Sequence, residues 1–212
     1  MERSLSLARL LRAYHDAAIA GASVGVQSHA SRRMLAALEG CAAEPAVAAP
    51  HTLPVCRYLD EALNHARSGP APIGELAQAL SALAPRLSWR RRNDAGRESA
   101  SFYSGHANAY IAGPNRLEAG AEITLGVSLL APHVVYPMHR HPPSEIYVVM
   151  TDGDWFREDR GWYTPGKGGV IHHPPGLTHA MRAGPAPLLA IWCLWLDSHD
   201  PTLGESEGGT PM

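Results

Sequence analysis

Beyond residue 100 the chain breaks into short β-type runs divided by Gly, Pro and Asn, and that rhythm limits the fold more than any other feature. Tyr103, Tyr110-Ile111, the set Ile123, Leu125, Val127 and Leu129, Val134-Val135, and the set Ile146, Val148 and Val149 come first. Val170-Ile171 and the apolar run from Leu188 to Leu196 continue the series. β-branched and aromatic side chains suit a pleated, half-buried surface, whereas Gly and Pro interrupt it. About eight such runs at this spacing predict a mostly β domain, a sandwich or a barrel. No run alternates with a helical pattern, which argues against a parallel α/β sheet.

The first hundred residues read differently. Leu5, Leu7, Leu10, Leu11 and Tyr14 recur at helical spacing up to Gly21, and Met34, Leu35 and Leu38 do so before Gly40. An Ala- and Pro-rich loop from Cys41 to Pro54 leads to a third helical pattern over 55–68, which Gly69-Pro70-Ala71-Pro72 breaks. Leu76, Leu80, Leu83 and Leu87 mark a fourth, stopping near Trp89, so Trp89-Arg90-Arg91-Arg92 reads as a solvated helix end. The expected organisation is a helical region over 1–100, a β domain over 101–200 and a flexible tail over 201–212. The helical region is expected to act as a cap or dimerisation element, giving a homodimer through it. His15, His29, His51 and His65 stand alone there and read as surface or packing residues.

At 212 residues the chain can build one domain with a real core, with or without an appendage. A formal charge of -2 without a long run of one sign gives no reason to expect a nucleic-acid or anionic-membrane partner. Cys41, Cys56 and Cys193 lack CxxC spacing, which argues against a disulfide scaffold or a zinc ribbon and for buried small hydrophobes. No apolar run approaches the ~18 residues of a membrane span, and the first residues lack a signal-peptide pattern. A cytoplasmic setting is expected by default.

The chemistry concentrates in two segments of the β half. The first, Tyr136-Pro137-Met138-His139-Arg140-His141-Pro142-Pro143-Ser144-Glu145-Ile146-Tyr147, sets two imidazoles, a carboxylate and a phenol at alternate positions. On one strand His139, His141, Glu145 and Tyr147 would share a face, provided the pleat survives the Pro pair. The second segment is Gly168-x5-Pro174-x-Gly176-x2-His179. Three imidazoles and a carboxylate suit one divalent transition metal (zinc, iron(II), manganese or nickel) with positions open to water or substrate. Neither segment holds a thiolate, so a structural zinc site is not expected.

An HxH pair alone is a weak signal, but HxH, a Glu four residues on and a distant PxG-x2-H in a β-rich chain resemble the two motifs of the cupin superfamily. That resemblance covers Gly120 to Leu196 and implies a double-stranded β-helix barrel with His139, His141, Glu145 and His179 as metal ligands. Three positions depart from the pattern: His133 where the first motif opens with Gly, Gly153 one position late, and Ala183 in place of a closing Asn. They bear on loop geometry more than on the metal.

A narrower resemblance follows from Tyr136-x2-His139-x-His141-Pro142-x2-Glu145-x-Tyr147 and His173-Pro174-Pro175-Gly176-x2-His179-Ala180-Met181-Arg182. With Leu53-Pro54-Val55-Cys56-Arg57, Leu83-Ala84-Pro85-x-Leu87-x-Trp89 and the helical N-terminal region, the chain is similar to the cupin-type dimethylsulfoniopropionate lyases of marine bacteria. The resemblance implies a small-molecule substrate and a β-elimination to dimethyl sulfide and acrylate. It puts the substrate carboxylate on the metal and makes Tyr147 the general base, with Tyr136 holding the substrate carboxylate or sulfonium. Trp155, Trp162, Tyr163, His173 and Arg182 are further candidates for the pocket, since aromatic faces attract a sulfonium cation. On spacing alone Tyr147 and Tyr136 read equally as packing residues, and His106, His133 and His172 as structural or surface groups. Two alternatives stay open: a cupin dioxygenase or isomerase acting on a small carboxylate, and a metal-dependent binding module.

Overall fold

A computed structural model of the chain describes residues 5–21, 49–113 and 123–196. The expected helix around Met34 to Gly40 and the expected tail over 201–212 lie outside those residues. Helix α1, Leu5–Gly21, buries Leu7, Leu10, Leu11, Tyr14, Ala17 and Ala18, a stripe at three- and four-residue spacing. Leu5, counted in the same pattern, falls on the outer face and is 90% exposed. A 3-10 turn over Pro54–Tyr58 leads into α2, Leu59–Arg67. Next, α3, Ala71–Leu83, begins where Pro70 and Pro72 suit a first turn that needs no N–H, and it buries Ile73, Leu76, Ala77, Leu80 and Leu83. The short α4, Ala100–Gly105, starts where the Ser99 hydroxyl accepts the Phe102 N–H at 3.1 Å.

Among the described residues nine strands follow: β1 His106–Ala112, β2 Ile123–Leu130, β3 Val135–His139, β4 Ser144–Val149, β5 Asp154–Arg157, β6 Gly161–Tyr163, β7 Val170–His173, β8 His179–Arg182 and β9 Leu188–Trp195. They pair antiparallel in a five-stranded sheet ordered β1-β2-β9-β4-β7 and a four-stranded sheet ordered β3-β8-β5-β6. The β half is thus the expected cupin barrel.

Strand alternation divides the interior into two cores. From the five-stranded sheet Leu125, Val127, Leu129, Ile146, Val148, Leu189, Ile191 and Cys193 point outward into a core shared with α1, α2 and α3. Tyr147, Val149, Leu188, Ala190 and Trp192 point inward and join Phe102, Tyr136, Trp155 and Met181 in the barrel. Strands buried on both faces explain why β2 and β4 read as almost continuous apolar runs. The buried Tyr14 hydroxyl donates to the Ile146 carbonyl at 3.1 Å, tying α1 to the strand that carries Glu145 and Tyr147. The helices therefore form a third layer over the outside of one sheet.

Four local expectations are corrected. Tyr103 lies in α4 and not in a strand, because Ser99 caps a helix just before it. The fourth helix ends at Leu83, where Pro85 forces a tight turn over Ala84–Arg86. Trp89 to Arg92 is consequently no helix end: Trp89 is buried, and Arg90 exchanges both backbone hydrogen bonds with Asn108 of β1, each at 2.8 Å. The stretch from Tyr136 to Tyr147 does not keep one pleat, because Pro142 and Pro143 fall between β3 and β4, which lie in different sheets. Strands β5, β6 and β8 carried no sufficient apolar alternation to be expected.

Candidate metal centre

Each sheet contributes one cross-strand pair to the same point inside the barrel. In the four-stranded sheet His139 of β3 sits opposite His179 of β8; in the five-stranded sheet Glu145 of β4 sits opposite His173 of β7. Directly opposed residues project from the same face, so both pairs point inward. His141, on the Pro-rich connection between β3 and β4, completes the group. Nitrogens of His139, His141 and His179 lie within 4.8 Å of one another, as do donor atoms of Glu145, His173 and His179.

Hydrogen bonds fix how three of these rings face. His139 Nδ1 bonds the Pro137 carbonyl at 3.0 Å, His141 Nδ1 the Pro143 carbonyl at 3.0 Å and His179 Nδ1 the Leu177 carbonyl at 2.8 Å. A carbonyl only accepts, so each Nδ1 carries a proton and each Nε2 is the nitrogen left to face the centre. His141 Nε2 and His179 Nε2 both stand 3.2 Å from Glu145 Oε2, and that of His179 is buried without an aligned hydrogen bond. Outer bonds to carbonyls, with the inner nitrogens of His141 and His179 beside a carboxylate and that of His139 close to theirs, suit a divalent cation. His173 differs: its ring stacks on His179 at 4.0 Å, its Nδ1 is 3.6 Å from Glu145 Oε2, and neither nitrogen has a hydrogen-bond partner among the described residues.

The electrostatics follow from burial and crowding. Burial opposes the charged form of Glu145, but the hydrogen bond from His141 and the nearby rings of His173 and His179 together outweigh it and hold the carboxyl well below its usual range. Burial, with His179 adding to it, pushes His139 down to about 3, and burial lowers His173 to about 4. Burial also opposes charge on His141, but the bond to Glu145, the attraction of that carboxylate and the Pro143 carbonyl together outweigh it and raise the ring. His139 and His173, held neutral, present a lone pair and not a second N–H, as ligation demands.

The cluster opens on a cavity of 430 Å³, within the size range of small-molecule sites. His139, His141, Glu145, Tyr136 and Tyr147 line it, together with Asn108, Tyr110, Ser128, Trp192 and the segment Arg90 to Asp94. Burial pushes the Tyr147 phenol well above its ordinary value, and Glu145 and Tyr136 push it the same way. Burial also raises Tyr136, against the opposing pull of Arg92 and Asn108. Trp192 has room because Gly126 lies opposite it on β2; a Cβ there would stand 2.1 Å from the indole.

Of the other pocket candidates, Trp155 is buried behind Tyr147, with ring centroids 4.6 Å apart. Trp162, Tyr163 and Arg182 are not among the residues lining the cavity. Trp162 is 38% exposed and lies under the Arg182 guanidinium, which bonds Asp154 at 2.9 Å. Tyr163 packs against the barrel core beneath Arg160. Sequence reasoning passed over Arg92, Asn108 and Ser128. The available signal was polar residues on strand positions whose neighbours alternate into a core.

A cupin barrel gathering imidazoles and a carboxylate at one internal point defines the class: a cupin whose interior could hold a metal ion. Comparison with known proteins narrows the class. The family profile of the dimethylsulfoniopropionate lyases matches residues 26–190, and the chain belongs to that family. The dimethylsulfoniopropionate lyase DddQ of Ruegeria pomeroyi is 28% identical over 108 residues, 50% of this chain and 53% of the relative. The match therefore spans about half the length of that curated relative. The crystal structure of DddQ from Ruegeria pomeroyi superposes with a TM-score of 0.66 at 19% identity, covering 93% of this chain and 95% of that one. A chain from the crystal structures of the lyases RdDddP and RnDddQII superposes with a TM-score of 0.66 at 20% identity, covering 92% and 94%. At such identities the superpositions establish a shared fold. Among the described residues no helix is long and apolar enough to cross a membrane.

Proposed function

We propose that the chain is a metal-dependent carbon–sulfur lyase that cleaves dimethylsulfoniopropionate by β-elimination to dimethyl sulfide and acrylate. The observation that carries this reading, beside family membership, is the set of three imidazoles with Nδ1 tied to carbonyls and inner nitrogens close together, two of them beside Glu145, opening on the cavity that Tyr147 lines. His139, His141, Glu145 and His179 would hold one divalent ion, with zinc, iron(II), manganese and nickel all compatible with this donor set. Once bound, such an ion would withdraw charge from the substrate carboxylate, making the adjacent C–H more acidic, and would lower the pKa of a nearby phenol.

The protein's own part is to place a base and exclude water. Tyr147 Oη takes the proton from the carbon next to the carboxylate; that electron pair forms the new double bond, and the C–S bond breaks with its pair leaving on sulfur. Burial works against a Tyr147 phenolate, so positive charge beside Glu145 is needed for the role. Tyr136 and Trp192 wall the cavity and orient the substrate. The test is Tyr147→Phe with metal content measured alongside turnover. The expected outcome is retained metal with dimethyl sulfide release reduced about a hundredfold or more, the range of general-base contributions. Near-normal turnover would assign the proton to another group.

A further inference from the structure

A chain of hydrogen bonds runs along the cavity wall, and chemistry dictates its direction. Trp192 Nε1–H donates to Ser128 Oγ at 3.0 Å, and an indole nitrogen can only donate. Ser128 therefore passes its own proton onward, to Asn108 Oδ1 at 2.7 Å. That bond settles the orientation of the Asn108 amide, turning Nδ2–H toward the Tyr136 hydroxyl at 3.5 Å, the longest link of the four residues. Tyr136 Oη is thereby an acceptor from the wall, and its own proton must go elsewhere. Arg92, whose guanidinium stands over the Tyr136 ring at 5.2 Å, offers donors only and cannot take it.

The register makes this a built feature. Asn108 of β1 and Ser128 of β2 are direct cross-strand partners, and Trp192 lies two residues along β9 from Ala190, the partner of Ser128 on its other side. Ser128 is buried and Trp192 nearly so, which keeps bulk water from supplying a competing acceptor. Tyr136 itself lines the cavity.

We propose that Trp192, Ser128 and Asn108 are positioning residues that present the Tyr136 O–H to the cavity as a hydrogen-bond donor, matched to an anionic oxygen of the bound molecule. The identity of that oxygen as the substrate carboxylate rests on the lyase reading above; the donor direction does not. It separates the two cavity tyrosines: Tyr136 donates throughout the reaction while Tyr147 exchanges a proton with carbon.

The experiment is calorimetric titration of propionate into metal-reconstituted protein. Ser128→Thr and Ser128→Val have the same shape and differ by the hydroxyl, so their comparison isolates the link. Ser128→Val is expected to bind propionate about tenfold more weakly than Ser128→Thr, the scale of a hydrogen bond to a charged group. In a Tyr136→Phe background the two are expected to bind alike, because the network acts only through that hydroxyl. A gap that persists without the Tyr136 hydroxyl, or no gap at all, overturns the proposal. Should Ser128→Val fail to fold, Asn108→Leu enters the same cycle with the same two outcomes. Propionate has no leaving group, so its binding is read apart from turnover: wild-type protein that binds propionate yet releases no dimethyl sulfide from dimethylsulfoniopropionate sinks the lyase reading and leaves the donor assignment standing.

Discussion

His106 shows how much of this site is set by single side chains outside the metal cluster. Its ring is fully buried and stacks on Phe102 at 3.8 Å; Nδ1 donates to the Phe102 carbonyl, and Nε2 accepts the Arg92 N–H at 2.9 Å. It thus joins α4 to the arginine segment at the cavity mouth. Burial pushes it down to about 4 from an ordinary 6.5. The sign of its linkage to stability follows. Above pH 6.5 it is neutral folded or unfolded and contributes no pH dependence. Between 6.5 and about 4 the unfolded chain takes up a proton that the folded chain refuses, so stability falls as pH falls. The contribution is about 2 kcal/mol after allowance for relaxation of the pocket. His106→Gln keeps a donor and an acceptor without titrating there. Its denaturation midpoint is expected to decline less than wild type between pH 7 and roughly 4; parallel profiles would remove His106 from the account.

At the scale of elements, legibility followed distance along the chain. His139, His141 and Glu145 could be read because motif spacing is local, and His179 because a Pro-x-Gly turn announces it. His173 was undervalued because its place beside Glu145 exists only through β4–β7 pairing. Asn108 and Ser128 meet only in the β1–β2 register, and Arg92 reaches the cavity only because Arg90 bridges to Asn108. The helical layer was legible from 3.6-residue periodicity, whereas β5, β6 and β8 were hidden by mixed, partly exposed patterns. The turn between β2 and β3 explains one departure from the cupin motif. His133, where Gly is usual, adopts φ 62 in the left-handed region while its N–H donates to the Gly184 carbonyl at 2.8 Å. A side chain there costs about 1–2 kcal/mol, partly offset by the greater freedom of Gly in the unfolded state. His133→Gly is therefore expected to stabilise by roughly 0.5–1 kcal/mol, read as a higher urea midpoint at unchanged slope. Loss of stability would show that the imidazole makes a compensating contact.

For the whole molecule, the three layers assign separate tasks. The helices bury the outer face of the five-stranded sheet, so β4 is held from behind, through Tyr14 among others, while its inner face offers Glu145 and Tyr147 to the cavity. The four-stranded sheet brings His139 and His179 from the other side, and loops carrying arginines frame the mouth. Packing from behind serves the proposed proton transfer, which needs its groups held in place. The proposed elimination of dimethyl sulfide from dimethylsulfoniopropionate is checked by incubating metal-reconstituted protein with that compound, measuring dimethyl sulfide in the headspace and acrylate in solution. Release of the two products in equal amounts is expected, lost on chelation and restored by a divalent transition metal. Absence of both products with zinc, iron(II), manganese and nickel alike would contradict it.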